Sequence, residues 1–166
     1  MIVFVTGAAG FIGCNFVYYY LKKYPERDII SIDNLTYAGN LDNLSGLSKT
    51  ERERFNFIKG DICDFELISK LFEEYPIDII INFAAESHVD RSIKDPRLFL
   101  QSNVIGTGVI LDCARNNWYS NGHWKNGKKF LQISTDEVYG SLGSDGYFFE
   151  TTSLNPHSPY SASKAA

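Results

Sequence analysis

The stretch Ile2-Val3-Phe4-Val5-Thr6-Gly7-Ala8-Ala9-Gly10-Phe11-Ile12-Gly13 decides the fold. The run Ile2 to Val5 is short, wholly apolar and leads straight to a glycine, the pattern of a strand buried on both faces. Helical spacing follows from Phe11 to Tyr24, with Ile12, Phe16, Val17, Tyr20 and Leu21 in register, and Pro25 stops it. Gly7, Gly10 and Gly13 therefore occupy a strand-to-helix turn. Backbone N–H groups and the helix dipole favour an anion there, and glycine lets a phosphate come close to the main chain. The spacing GxxGxxG is one residue longer than the usual GxGxxG, so taken alone it also fits an ordinary βα turn. Asp33 tips the balance. A carboxylate about 20 residues further on, closing the second strand, accepts hydrogen bonds from the adenosine ribose of a dinucleotide and repels a 2′-phosphate.

The rest of the chain repeats the alternation. Strands are predicted at Asp28–Ile32, Phe55–Lys59, Ile77–Phe83 and Lys129–Ser134. Helices are predicted from the N-cap Asp64 to Pro76, from Asp95-Pro96 to about Asn116, and from Ser158-Pro159 onward. Strands alternating with helices mean βαβ units. The expected fold is α/β: a Rossmann-type, doubly wound parallel sheet with helices on both faces. The chain stops inside the first turns of its last helix, so residues 1–166 are expected to be one incomplete domain, truncated on its C-terminal side.

Composition narrows the classes. With 16 Lys+Arg against 20 Asp+Glu and a net charge of −4, the chain lacks the basic footprint of a nucleic-acid binder. No apolar run approaches the roughly 18–20 residues that cross a bilayer. Cys14, Cys63 and Cys113 are odd in number and far apart. They read as buried small apolar residues in a reducing cytosol, so a cytoplasmic protein without metal is expected.

At the far end, Tyr160-Ser161-Ala162-Ser163-Lys164 sets a phenol and an ammonium four residues apart, on one face of a helix. A fixed cation stabilises phenolate and would draw the tyrosine towards use as a general base. Asp136-Glu137 follows the strand ending near Ile133, at the edge where open α/β sheets bind ligands. Two adjacent carboxyls can divide into acid and base when their surroundings push their pKa values apart.

Together, TGxxGxxG and YxxxK resemble the extended short-chain dehydrogenase/reductase family of nucleotide-sugar enzymes. Within it, Asp33 to Asn40, Ala84 to Ser92 and Ser134 to Gly140 are similar to the signature segments of the dTDP-glucose 4,6-dehydratases. That resemblance implies NAD as cofactor and a nucleotide sugar, dTDP-glucose, as substrate. It also implies a homodimer and a place in dTDP-rhamnose biosynthesis. The implied catalytic set is Thr135 on the oxygen of sugar carbon 4, Asp136 as acid, Glu137 as base, and Tyr160 with Lys164. The implied cofactor contacts are Gly7, Gly10, Phe11, Ile12 and Gly13 on the pyrophosphate side, and Asp33, Asn34, Leu35 and Thr36 after the second strand. Asp61 and Ile62 flank the adenine. Phe83, Ala84, Ala85, Ser87 and Ser102 complete the set with Tyr160 and Lys164. Ser87, His88 and Thr135 are implied substrate contacts. Three rivals stand beside this reading: a 4-epimerase, a CDP- or UDP-sugar dehydratase, and a cofactor-binding fragment without turnover. The isolated 166 residues are expected to be inactive.

Asp33 carries the first testable consequence. NAD should bind more tightly than NADP when each is titrated against the protein by fluorescence, and equal affinity would remove the ribose–carboxylate argument.

Overall fold

A computed structural model describes residues 1–166. In chain order, β1 (Ile2–Thr6) leads through α1 (Phe11–Lys23) to β2 (Asp28–Asp33), and a 3-10 turn (Leu41–Leu44) and α2 (Lys49–Arg52) precede β3 (Phe55–Lys59). Then come α3 (Phe65–Glu74), β4 (Ile77–Asn82), α4 (Val89–Lys94) and α5 (Pro96–Phe99). A π-helical segment (Leu100–Gly106) joins α5 to α6 (Thr107–Trp118). A hairpin of β5 (Tyr119–Ser120) and β6 (His123–Trp124), then β7 (Lys129–Gln132), a 3-10 turn (Asp136–Tyr139) and α7 (Pro159–Ala165) complete the chain.

The five long strands form one parallel sheet in the order β3-β2-β1-β4-β7, as the apolar runs predict. β1 lies at its centre. Val3 and Val5 point to one face, where Val17, Tyr20 and Leu21 of α1 cover them. Phe4 points to the other, against Ile68, Leu71 and Phe72 of α3 and Ile110 and Trp118 of α6. Because both faces are covered, no polar residue interrupts Ile2 to Val5. Each large side chain so buried contributes roughly 1.5–3 kcal/mol. No helix is long and apolar enough to cross a membrane.

Several expectations need correction. Asp95 stands at the N-cap position before Pro96 but makes no side-chain cap bond. The helix to Asn116 is not one regular α-helix: seven residues from Leu100 are π-helical, and the helix then runs to Trp118. The widened turn places Asn103 inside the protein, where its amide finds partners that a surface position would not offer. α2, α4 and the β5–β6 hairpin were not anticipated, being too short for a periodic signal. Cys14 and Cys113 are buried as expected, but Cys63 is only half-buried. The caps at Asp64 and Ser158 do form, onto the N–H groups of Leu67 and Ser161.

One ion pair ties the amino ends of the strands together. Asp78 accepts from the Ile2 N–H (2.9 Å) and from Lys128 Nζ (2.9 Å), while Lys128 also donates to the Ile77 carbonyl (2.8 Å). Burial pushes the Asp78 carboxyl up, but Lys128 and the Ile2 N–H outweigh it, so the carboxyl lies below its ordinary value. A depressed folded-state pKa means that this stability is present above the unfolded pKa and is lost as pH falls through the folded one. Asp78→Ala should therefore cost about 1–3 kcal/mol in a urea titration at neutral pH. The deficit should shrink as pH is lowered below the ordinary carboxylate range, and a deficit independent of pH would contradict the ion pair.

Candidate active site

Strand order reverses at β1: β2 and β3 build out on one side, β4 and β7 on the other. Loops leaving β1 and β4 must therefore diverge, and a crevice opens at their carboxyl ends. Its floor is the glycine turn. Gly7 has φ +66°, and a Cβ on it would stand 2.7 Å from the Ala84 nitrogen. A Cβ on Gly13 would stand 2.1 Å from the Gly7 carbonyl oxygen, so α1 sits directly on the turn. Gly10 is different: its nearest contact would be 3.4 Å away, and it faces the crevice.

The cavity above these residues measures about 210 Å³. Gly7 and Gly10 line it from β1, and Asp33, Asn34 and Thr36 from β2. Asp61 and Ile62 line it from β3, Phe83, Ala84 and Ala85 from β4, and Ser102 from the π-helical segment. The Asp33 carboxylate accepts from the N–H of Ala9 (2.9 Å) and of Leu35 (2.8 Å), binding the glycine turn to the exit of β2. Leu35 adopts φ 54° to make that bond. Asp61 accepts from Asn34 Nδ2 (2.9 Å) and from the Cys63 N–H (2.9 Å). Cys63 also lines the crevice, but burial pushes its thiol up to about 11, so it is unreactive at neutral pH.

Other anticipated residues lie outside that cavity. Phe11 and Ile12 expose their side chains, leaving only main-chain N–H groups to meet a ligand. Gly13 is packed beneath, and Ser87 and His88 are exposed just before α4.

A second cluster sits at the carboxyl end of β7. Thr135 accepts from the Glu137 N–H (3.3 Å) and so starts the 3-10 turn that presents Asp136 and Glu137. Tyr160 lies in the first turn of α7, which packs against this 3-10 turn. Burial raises its phenol above the ordinary value, hydrogen bonding from Thr135 opposes this, and the Glu137 and Asp136 carboxylates add to the rise. The Lys164 ammonium, lowered by burial, donates to the Ile133 carbonyl (2.5 Å). The expectation that Lys164 draws the phenol down is not met in this arrangement: burial and the two carboxylates set the direction, and Lys164 is not among the groups that shift the phenol.

Sequence reasoning missed the groups that join the two clusters. Asn103 accepts from the Glu86 N–H (2.9 Å) and donates to the Glu86 carbonyl (2.9 Å) and to Ser163 Oγ (2.8 Å). Ser163 in turn donates to the Tyr160 carbonyl (2.7 Å). Beneath the floor, Thr6 donates to Asn82 and accepts from the Ala84 N–H (3.1 Å). Asn82 donates to Gln132 (2.8 Å) and Thr107 (3.2 Å). Asn82, a polar residue near the end of an otherwise apolar strand run, is the one sequence signal that could have pointed to this network. For Asn103 there was none, since only the π turn aims it inward. No group of three or more His, Cys, Asp or Glu is placed to hold a metal.

Comparison with known proteins matches residues 4–166 to the family described as GDP-mannose 4,6 dehydratase. The dTDP-glucose 4,6-dehydratase of Xanthomonas campestris pv. campestris (strain B100) is 48% identical over 163 residues, covering 98% of this chain and 45% of that protein. The crystal structure of DesIV, a dTDP-glucose 4,6-dehydratase from Streptomyces venezuelae with NAD bound, is 44% identical with a TM-score of 0.86, over 99% of this chain and 48% of that one. The UDP-Glc/GlcNAc 4-epimerase of Campylobacter jejuni is 28% identical with a TM-score of 0.82, over 98% and 45%. The chain spans about half the length of the curated relatives it matches.

The environment of Tyr160 can be measured directly. In a carbon-13 tyrosine NMR titration, assigned with Tyr160→Phe, this phenol should ionise above the ordinary pKa of about 10. Thr135→Val should raise it further and Glu137→Gln should lower it; a phenol that ignores both substitutions would separate Tyr160 from the acid turn.

Proposed function

The chain belongs to the GDP-mannose 4,6 dehydratase family, and on that premise we propose that it carries the cofactor-binding and proton-transfer residues of a dTDP-glucose 4,6-dehydratase. The observation that carries this reading is the acid turn Asp136-Glu137, packed against the helix that holds Tyr160, near a crevice suited to NAD. The crevice fits a dinucleotide in its chemistry. Main-chain N–H groups and the start of α1 face an anion, Asp33 faces ribose hydroxyls, and Asp61 with the buried Ile62 side chain faces an adenine. NAD, when bound, supplies a hydride acceptor for sugar carbon 4 and later a donor for carbon 6.

The chain's own residues handle the protons. Tyr160, after losing its own proton to solvent, takes the proton of the hydroxyl on carbon 4, and Thr135 hydrogen-bonds the oxygen that remains. Ketone formation acidifies the proton on carbon 5, which Glu137 removes and gives back once hydride has reached carbon 6. Asp136, as the acid of the pair, delivers a proton to the departing hydroxyl on carbon 6, and water leaves. The rise of the phenol above its ordinary pKa keeps it protonated in the free protein. Lys164 gives one of its three N–H donors to the Ile133 carbonyl and keeps two, with its charge, for the Tyr160 oxygen. Ser87 and His88, exposed at the start of α4, reach the sugar nucleotide from the β4 side. The same reading carries a cytoplasmic homodimer in dTDP-rhamnose biosynthesis. A 4-epimerase needs the oxidation and no elimination, so it gives the acid pair no task.

The test separates oxidation from elimination. In a protein of the relatives' full length carrying this chain, Glu137→Gln should still generate reduced nicotinamide on adding dTDP-glucose. It should then form the 4-keto-6-deoxy product about 10²–10⁴-fold more slowly. Unaltered product formation, or a 4-epimer as the product, would overturn the assignment.

A further inference from the structure

The crevice carries a charge problem. Asp33, Asp61 and Glu86 all line it, and no Lys or Arg does. A dinucleotide brings a doubly charged diphosphate into that lining, and the start of α1 offers only about half an elementary charge against it. A cation should stand close by, and Arg91 does.

Arg91 lies in α4, the first helix after the β4 loop, and its guanidinium sits over the ring of Tyr37 with 4.0 Å between the charge centre and the ring centroid. Tyr37 belongs to the loop after β2, whose neighbours Thr36 and Ala38 line the opposite wall. The contact therefore joins the two walls of the crevice. Glu86 stands behind it, with Oε2 3.9 Å from Arg91 Nη1, too far for a hydrogen bond. That Oε2 is buried and has no hydrogen-bond partner, and burial raises the carboxyl while Arg91 opposes the rise. The main chain of Glu86 is fixed, because the amide of Asn103 bonds both its N–H and its carbonyl. The guanidinium is thus oriented by a ring and a carboxylate while its N–H donors form no hydrogen bond within the chain. A planar cation held with its donors free suits the bidentate recognition of phosphate oxygens.

We propose that Arg91, seated on Tyr37, is a diphosphate-binding residue that clasps the dinucleotide across the mouth of the crevice. The inference rests on the dinucleotide reading above, and it adds a residue from outside the lining. Glu86 acts as the positioning residue: it limits the guanidinium's movement without sealing its donors. A diphosphate of either a dinucleotide or a nucleotide sugar has the required chemistry; the place of the clasp between the β2 and β4 loops assigns it to the dinucleotide.

Binding to the 166-residue chain tests this with NAD, dTDP and adenosine as probes, using calorimetry for affinity and stopped-flow fluorescence for NAD release. Arg91→Met should weaken NAD about tenfold, mainly through faster release, and should flatten its dependence on salt. Arg91→Lys should restore part of the loss. Tyr37→Leu should weaken NAD too, and the double variant should lose less than the two single losses combined, because one contact is removed twice. Adenosine, which lacks phosphate, should bind all variants alike. An equal loss for adenosine would show that Arg91 merely supports the fold and would overturn the clasp. Weakened dTDP with unchanged NAD would overturn its assignment to the dinucleotide. If the unaltered chain binds NAD and the variants release it at the same rate, the clasp falls alone. If the unaltered chain binds no NAD, the dinucleotide reading falls and takes the clasp with it.

Discussion

The main chain of Gly7 lies against the main chain of Ala84, and the whole upper side of the sheet depends on that approach. A single Cβ on Gly7 would stand 2.7 Å from the Ala84 nitrogen, and the positive φ of Gly7 already disfavours any other residue. Only with the exits of β1 and β4 so close can Thr6 reach both Asn82 and the Ala84 N–H. The floor is then closed by satisfied polar groups. Asn82 and Thr6 are fully buried, and in low dielectric each lost bond would cost about 1–3 kcal/mol. Polar residues at the carboxyl ends of two central strands thus specify where the crevice opens.

Asn103 does for the walls what Gly7 does for the floor. Its side chain links the β4 loop at Glu86 to α7 at Ser163, one residue before Lys164. Tyr160 is held through the Ser163 bond to its carbonyl and by an edge-on contact with Phe99, 6.3 Å between ring centroids. The π-helical turn is the device that makes this possible. An uninterrupted α-helix from Pro96 would rotate Asn103 away from the β4 loop, and the two clusters would lose their rigid connection.

The electrostatics of the two clusters differ for one reason, burial. Tyr160 is desolvated beside two carboxylates, so its phenol rises, and the lysine on its own helix turns to a carbonyl instead. In the crevice, main-chain N–H groups and Asn34 complete the hydrogen-bond shells of Asp33 and Asp61. Glu86 lacks such donors and depends on Arg91 across 3.9 Å.

By itself the sequence determined the parallel sheet, the glycine turn, Asp33 and the acid turn. Each is a local pattern: a run of apolar residues buried on both faces, a glycine where the backbone must be approached, a carboxylate at a strand end. It also placed Tyr160 and Lys164 on one helix, as α7 confirms. It did not reveal Asn103, the half-burial of Cys63, the outward-facing side chains of Phe11 and Ile12, or the pairing of Arg91 with Tyr37. Tyr37 and Arg91 come from different βα units, and no spacing along the chain records their meeting. The ionisation of Tyr160 escaped for the same reason. A cation four residues away is written in the sequence, but burial and the carbonyl of Ile133 exist only once β7 and α7 have packed together. Periodicity encodes which face of an element is covered; the partners of a buried polar group are set by tertiary packing, because hydrogen bonds require distances of about 3 Å that only the folded chain supplies.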